Sequence, residues 1–260
     1  MSTIVISTVN VNGIRSATTK GLADWIQAKG YDIICFQELK ALESDIPDEI
    51  RSLEYHQYYH PAEKKGYSGV GVLSKLKPES VTYGMGVDWV DQEGRILTLD
   101  FGSWCICSVY APSGTTGDVR QEVKYRFLDE FTTFARSFGE RGKQVIFTGD
   151  INIAHREIDI HNPVSNKNTS GFLPEEREWF SAFLESGFVD VYRHKNPDLR
   201  DVYSWWSFRA GSRGKNKGWR IDYQLASSAF APSIVDAYIE TDLVVSDHAP
   251  VTCSYNTALI

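Results

Sequence analysis

Five apolar runs in this chain stop at the same kind of residue. Residues 4–9 stop at Asn10, with Asn12 two positions on. Residues 33–36 stop at Gln37-Glu38, and residues 104–109 stop at Tyr110. Residues 145–147 lead through Thr148-Gly149 to Asp150 and Asn152, and residues 243–245 lead to Ser246-Asp247-His248. Short, nearly continuous apolar runs rich in Val and Ile read as strands of a sheet covered on both faces. The residues that follow are metal-ligand and proton-transfer types. Such groups at several buried strand ends predict one rim carrying one site.

The run ending at Asp150 is the centre of this pattern. Residues two apart in an extended segment point the same way, so Asp150 and Asn152 are expected to project together. Gly149 is expected to end the strand and to permit a close approach. Gly-Asp-x-Asn alone reads better as an Asx turn at a strand end, since so short a motif recurs by chance. Recurrence at five run ends favours a site.

Bulk properties set limits. A chain of 260 residues suits a single domain over 1–260, and 42% hydrophobic content is enough for a sizeable core. No apolar run reaches membrane-spanning length, and Met1-Ser2-Thr3-Ile4-Val5 lacks the basic start of a signal peptide. Cys35, Cys105, Cys107 and Cys253 have no zinc-type spacing and read as core residues in a reducing cytoplasm. The net charge of −7 argues weakly against a nucleic-acid partner. Residues 209–220, however, hold five basic residues and no acid, which suits either a loop against phosphates or a solvated basic loop.

Strands are expected at 4–10, 33–36, 70–73, 96–101, 104–110, 145–150, 219–223, 234–239 and 250–255. Alternation at 55–60 and 203–208 suits two more. Helices are expected at 22–28, 42–53, 119–138 and from Pro174 onward, with a long polar loop at 155–173. The expected class is α/β, with two packed sheets and flanking helices.

Ten short motifs in order carry a resemblance. They are 10–15 (Asn-Val-Asn-Gly-Ile-Arg), 37–40 (Gln-Glu-Leu-Lys), 66–70 (Gly-Tyr-Ser-Gly-Val), 93–95 (Glu-Gly-Arg) and 110–112 (Tyr-Ala-Pro). They continue with 149–152 (Gly-Asp-Ile-Asn), 158–163 (Ile-Asp-Ile-His-Asn-Pro), 171–175 (Gly-Phe-Leu-Pro-Glu), 218–223 (Gly-Trp-Arg-Ile-Asp-Tyr) and 246–250 (Ser-Asp-His-Ala-Pro). The chain resembles the exonuclease III class of apurinic/apyrimidinic (AP) endonucleases, within the endonuclease/exonuclease/phosphatase superfamily. The resemblance implies a four-layer αββα sandwich of two mostly antiparallel sheets. It implies Mg²⁺, with Mn²⁺ as a substitute, and a bacterial, cytoplasmic monomer acting on double-stranded DNA with abasic sites or blocked 3′ ends. The implied activity is incision 5′ of an abasic site, with 3′→5′ exonuclease and 3′-end cleaning, in base excision repair.

The resemblance also implies roles. Glu38 is the first metal ligand, with Asn10 and Asp247 assisting, and Asp150 and Asn152 joining if a second ion binds. Otherwise Asp150 orients or deprotonates the attacking water, and Asn152 holds that water or the phosphate. His248 and Tyr110 donate to the phosphate, and Asp222 fixes the imidazole. Arg15, Lys20, Gly69 and Arg95 are expected on the DNA backbone, Tyr67 on a groove and Asn166 on a phosphate. Trp205, Trp219 and Ile221 are expected to form the pocket for a flipped-out abasic sugar.

Some positions depart from the family pattern. Asn12 stands where eukaryotic members have Asp, Trp205 where Phe is common, and Ser113 and Thr116 where animal members have Asn and Arg. The small Gly171 favours incision over the alternative, a sibling that mainly trims 3′ ends. An inositol-phosphate or sphingomyelin hydrolase is opposed by the 209–220 loop and by residues 219–222. A catalytically dead binder is opposed by the presence of Glu38, Asp150, Asp222 and Asp247.

Overall fold

The computed structural model describes residues 3–259. Its strands are β1 (Thr3–Asn10), β2 (Ile33–Gln37), β3 (His56–His60), β4 (Val70–Ser74), β5 (Ser80–Tyr83), β6 (Ile96–Asp100) and β7 (Trp104–Tyr110). They continue with β8 (Gln144–Asp150), β9 (Phe188–Asp190), β10 (Trp205–Trp206), β11 (Gly218–Trp219), β12 (Asp222–Ser227), β13 (Ile234–Ile239) and β14 (Val251–Asn256). One six-stranded sheet runs β13-β14-β1-β2-β4-β3 and the other β5-β6-β7-β8-β12-β9. Within them β1–β2 and β7–β8 are parallel and the remaining pairs antiparallel.

Side-chain alternation explains the continuous apolar runs. Ile33 and Cys35 of β2 and Ile146 of β8 enter the core between the sheets. Ile34 and Phe36 face the helix Leu22–Lys29 through Trp25 and Ile26. Val145 and Phe147 face the helices Asp118–Glu140 and Pro174–Glu185 through Phe127, Phe131, Phe180 and Phe183. Each run is thus wetted on neither face, as the layered αββα arrangement requires.

Several elements differ from the sequence reading. The helix expected at 42–53 is only a 3₁₀ turn, Glu43–Asp45, and one helical turn, Asp48–Arg51. Pro47 lies between them in extended backbone (φ −59°, ψ 145°) and interrupts the helix. The strand expected at 219–223 is split: β11 pairs with β10, and β12 begins at Asp222. The strand expected at 203–208 shrinks to Trp205–Trp206. The loop at 155–173 contains a 3₁₀ turn, Glu157–Asp159, and a helical turn, Pro163–Asn166. Gly149 does not end its strand. A Cβ there would lie 2.1 Å from the Val109 carbonyl oxygen, so the glycine permits close strand contact one residue earlier.

Candidate active site

Parity along the strands builds the site. Ile106 and Ile146 face the core between the sheets, as does Ala226. Counting by twos, Tyr110, Asp150 and Asp222 share that inner parity at their strand ends. Register places them side by side, with Asp150 opposite Tyr110 on β7 and opposite Asp222 on β12. From the facing sheet come Asn10, at the end of β1, and Glu38, just past β2. Glu38 has a left-handed backbone (φ 53°), as have Asn12 (45°) and Asn152 (57°). Turns of this kind swing a side chain off the strand and over its end.

Hydrogen bonds tie the two sheets together here. Asn10 Nδ2 donates to Glu38 Oε1 (3.0 Å) and to Asp150 Oδ2 (2.9 Å). Its Oδ1 accepts from the Asn12 amide at 2.9 Å. Asn10 thus bridges the two acids through its NH2, and its carbonyl oxygen, which has two lone pairs, takes one bond from the turn. Tyr110 donates to Glu38 Oε1 at 2.7 Å, and Lys40 Nζ lies 2.7 Å from Glu38 Oε2. Burial opposes the Glu38 charge, but Lys40, Asn10 and Tyr110 outweigh it and hold the carboxyl below its ordinary pKa. Burial, reinforced by Glu38, keeps Tyr110 a neutral donor.

Asp222 accepts from His248 Nδ1 at 2.9 Å and from Ser204 Oγ at 2.6 Å. His248 Nε2 lies 3.9 Å from Asp150 Oδ2. Burial alone would discharge the imidazole; the facing carboxylates, Asp222 foremost, instead push it up to about 10. Burial and the neighbouring Asp222 and Glu38 push Asp150 up. Asp150, Asp222 and His248 offer ligand atoms within 4.8 Å of one another. Asp247 accepts from Asn12 Nδ2 and Trp205 Nε1, each at 2.9 Å.

Asn152 and Asp150 do not share one extended face as expected. Asp150 Oδ1 accepts from the Asn152 amide at 2.9 Å, closing an Asx turn, and Asn152 Nδ2 donates to the Ala111 carbonyl. The turn still delivers both to the same cavity, of about 270 Å³. Trp205, Trp219 and Ile221 form its apolar wall, and Glu38, Tyr110, Asp150, Asp247 and His248 its polar wall.

The expected DNA contacts divide. Arg15 and Lys20 are exposed on the segment after Asn12, and Tyr67 is half-buried. Arg95 is corrected: only 1% exposed, it donates to Glu93, the Tyr110 carbonyl and the Tyr67 hydroxyl, so it supports the site from behind. Gly69 is corrected too. It is buried, and an added Cβ would meet Leu39 at 3.3 Å and Pro61 at 3.4 Å. Asn166 donates to the His161 and Asn162 carbonyls and lies outside the cavity lining. Arg220, counted in the basic loop, is fully buried between Asp159 and Asp190.

Residues 7–248 match the sequence pattern of the Endonuclease/Exonuclease/phosphatase family. The chain belongs to this family. It is 43% identical over 248 residues to an exodeoxyribonuclease of Bacillus subtilis, covering 95% of this chain and 97% of that one. It is 39% identical to the DNA repair nuclease APEX1 of Danio rerio, covering 95% of this chain and 80% of the relative. Among solved structures, an AP endonuclease from Archaeoglobus fulgidus superposes with a TM-score of 0.88 at 28% identity, covering 98% of this chain and all of that one. A 3′ phosphatase from Neisseria, bound to product DNA hairpin, gives 0.90 at 25% identity over 97% and 99% of the two chains. The chain is therefore a family enzyme, and its buried acid and histidine cluster is of the kind that holds a metal ion.

Some site residues carry little or no mark in the sequence. Ser204 acts through Asp222 and nothing in its spacing singles it out, whereas Lys40, which acts through Glu38, closes the 37–40 motif without its role being marked. Lys124 does carry a signal, as a lysine inside the buried stripe of Phe127, Leu128 and Phe131.

Proposed function

We propose that this enzyme is a divalent-metal-dependent AP endonuclease that cleaves DNA 5′ of an abasic site. It also trims and cleans 3′ ends, in base excision repair. One observation carries the reading: an apolar wall of Trp205, Trp219 and Ile221 faces a carboxylate and imidazole wall across one cavity. A flipped abasic sugar is apolar on one side and joined to phosphate on the other, and such a cavity suits both.

The donor set fits Mg²⁺ or Mn²⁺. Glu38, Asp150 and Asp247 offer hard carboxylate oxygens, and no thiol lines the cavity among the described residues. Glu38 is the principal holder, with Asp247 beside it, and Asp150 and Asn152 join if a second ion binds. When bound, the ion supplies charge stabilisation at the phosphate and leaving oxygen. The chain's own residues do the rest. Tyr110 and protonated His248 donate to phosphate oxygens where charge builds. Asp222 holds the imidazole with Nε2 toward the cavity. Asp150 takes or orients the proton of the attacking water, and Asn152 steadies that water or the phosphate. Arg15, Lys20, Tyr67 and Asn166 lie along the duplex.

The natural setting is a bacterial cytoplasm and the nucleoid, with one monomeric domain at work. No helix among the described residues is long and apolar enough to cross a membrane. The test is a labelled abasic duplex incubated with Mg²⁺ or with EDTA, with product ends identified. Incision 5′ of the lesion with Mg²⁺ alone is expected. Trimming of ordinary 3′ ends without incision would establish the exonuclease alternative instead.

A further inference from the structure

A buried ion pair lies behind the cavity and belongs to neither wall. Lys124, in the Asp118–Glu140 helix, and Glu176, in the first turn of Pro174–Glu185, are both fully buried, with Nζ and Oε1 2.5 Å apart. Lys124 Nζ also donates to the Asn152 carbonyl at 2.7 Å. Glu176 Oε1 accepts from Gln121, and its Oε2 accepts from the backbone amides of Gly171 (2.6 Å) and Leu173 (3.0 Å). The pair thus grips the Asn152 turn through one partner and the Gly171 segment through the other.

Those two segments form one side of the cavity, together with Thr169 and Ser170. They touch each other closely. The Gly171 carbonyl accepts from Ala154 N at 2.7 Å. A Cβ at Gly171 would lie 3.1 Å from the Asn152 carbonyl and 3.0 Å from the Trp219 ring. Gly171 is also left-handed, at φ +95°, so a side chain there is strained as well as crowded. The fit between this side and Trp219 leaves no slack.

Burying two charges in a helix interface is a poor way to gain stability, since desolvation offsets much of the attraction. Its use lies in specifying one arrangement of the groups it holds. Glu38, Tyr110, Asp222 and His248 are fixed by strand register and by bonds that do not include this pair, whereas Asp150 accepts from the Asn152 amide and so meets the Lys124 arm alone.

We propose that Lys124 and Glu176 are positioning residues for the sugar-facing side of the cavity. They set how strongly the enzyme prefers an abasic site over an ordinary 3′ end. This rests on the AP endonuclease reading above. Loosening the Glu176 arm widens the gap between Gly171 and Trp219 and admits intact nucleotides, while Lys124 keeps its bond to the Asn152 turn and with it the phosphate machinery.

The test uses Glu176→Gln, which keeps shape, and Glu176→Asp, which keeps a charge beside Lys124 and shortens the reach to the Gly171 and Leu173 amides. Melting and circular dichroism confirm folding. Two readouts follow: the amide exchange of Gly171 and Leu173, and the ratio of abasic incision to 3′ trimming in kcat/KM. Exchange at those two amides is expected to quicken ahead of the sheet amides. Incision is expected to fall by up to about 10²-fold, the scale of a 1 Å misplacement, and trimming to fall much less. If both activities drop in proportion, or neither moves in a folded variant, the proposal is overturned. Unchanged exchange at Gly171 overturns it whatever the activities do. If the wild-type enzyme does not incise at all, the AP endonuclease reading fails separately, and the exchange arm still judges the positioning role. Should Glu176→Gln not fold, the same two readouts on Glu176→Asp decide the matter.

Discussion

Arg95 holds two tyrosines at once. Its guanidinium lies 4.9 Å from the Tyr110 ring centroid, donates to the Tyr110 carbonyl and Tyr67 hydroxyl, and is anchored by Glu93. A buried fork of donors of this kind is not replaceable by a lysine. Arg95→Lys is therefore expected to lower kcat by roughly ten- to a hundredfold, because Tyr110 loses its backing. The salt dependence of DNA binding should not change. If Arg95 instead met a phosphate, the slope of log K against log salt would shrink by about one. The Glu-Gly-Arg motif announces importance but not direction. A motif gives residue types in order, and only the fold says which way a side chain points. Asn10 makes the same point: only the fold shows that its NH2 spans Glu38 and Asp150 while its carbonyl faces the Asn12 turn.

Between β11 and β12 the chain kinks at Arg220 and Ile221, and an ion network explains why. Arg220 turns inward to Asp159 and Asp190, while Arg193 joins it on Asp159 at 2.6 Å. The network clamps the Glu157–Asp159 turn and β9 to the segment that carries Ile221 and Asp222. In sequence, 219–223 run together because Trp219, Ile221 and Tyr223 alternate as in a strand, and no pattern of residue types shows a charge being buried. The short strands β5 and β9 are invisible for a related reason: at four and three residues they carry no apolar run to find. The long strands and the helix Asp118–Glu140 are legible because burial on known faces repeats along them.

Burial opposes the Asp159 charge, yet Arg220 and Arg193 hold the carboxyl down at about 2. A depressed carboxylate stabilises the fold above the unfolded pKa of about 3.9, and that contribution is lost as pH falls toward 2. About 2 kcal/mol should disappear across that window, read as the fall in unfolding free energy during acid titration. Asp159→Asn should flatten that part of the titration and cost roughly 3–5 kcal/mol at neutral pH, since Arg193 loses its carboxylate and Arg220 is left with Asp190 alone. A variant as stable as wild type at pH 7 would remove the network from the account.

A molecule of net charge −7 can still bind DNA if its charges are sorted by position. The inward-facing cations are Arg95, Lys124, Arg193 and Arg220, each against a carboxylate. Arg213 also turns in, stacking on Trp206 and donating to the carbonyls of Ser246, Thr241 and Leu243. Two of the five basic residues at 209–220, Arg213 and Arg220, are therefore internal scaffolding, which composition could not reveal, while Arg209, Lys215 and Lys217 are exposed. Arg15, Lys20, Lys64, Lys65, Arg209, Lys215 and Lys217 are exposed and are the cations the proposed duplex binding would use. Each phosphate neutralised should add about 0.9 to the negative slope of log K against log salt. Replacing Arg15 and Lys20 together by alanine should lower that slope by roughly one per lost contact and weaken all sequences alike. Replacing Arg213 should leave the slope alone and show its effect in melting temperature. The opposite pattern would mean that the internal hydrogen bonds of Arg213 give way when DNA arrives. The rim near Asn12 would then not be where the duplex lies.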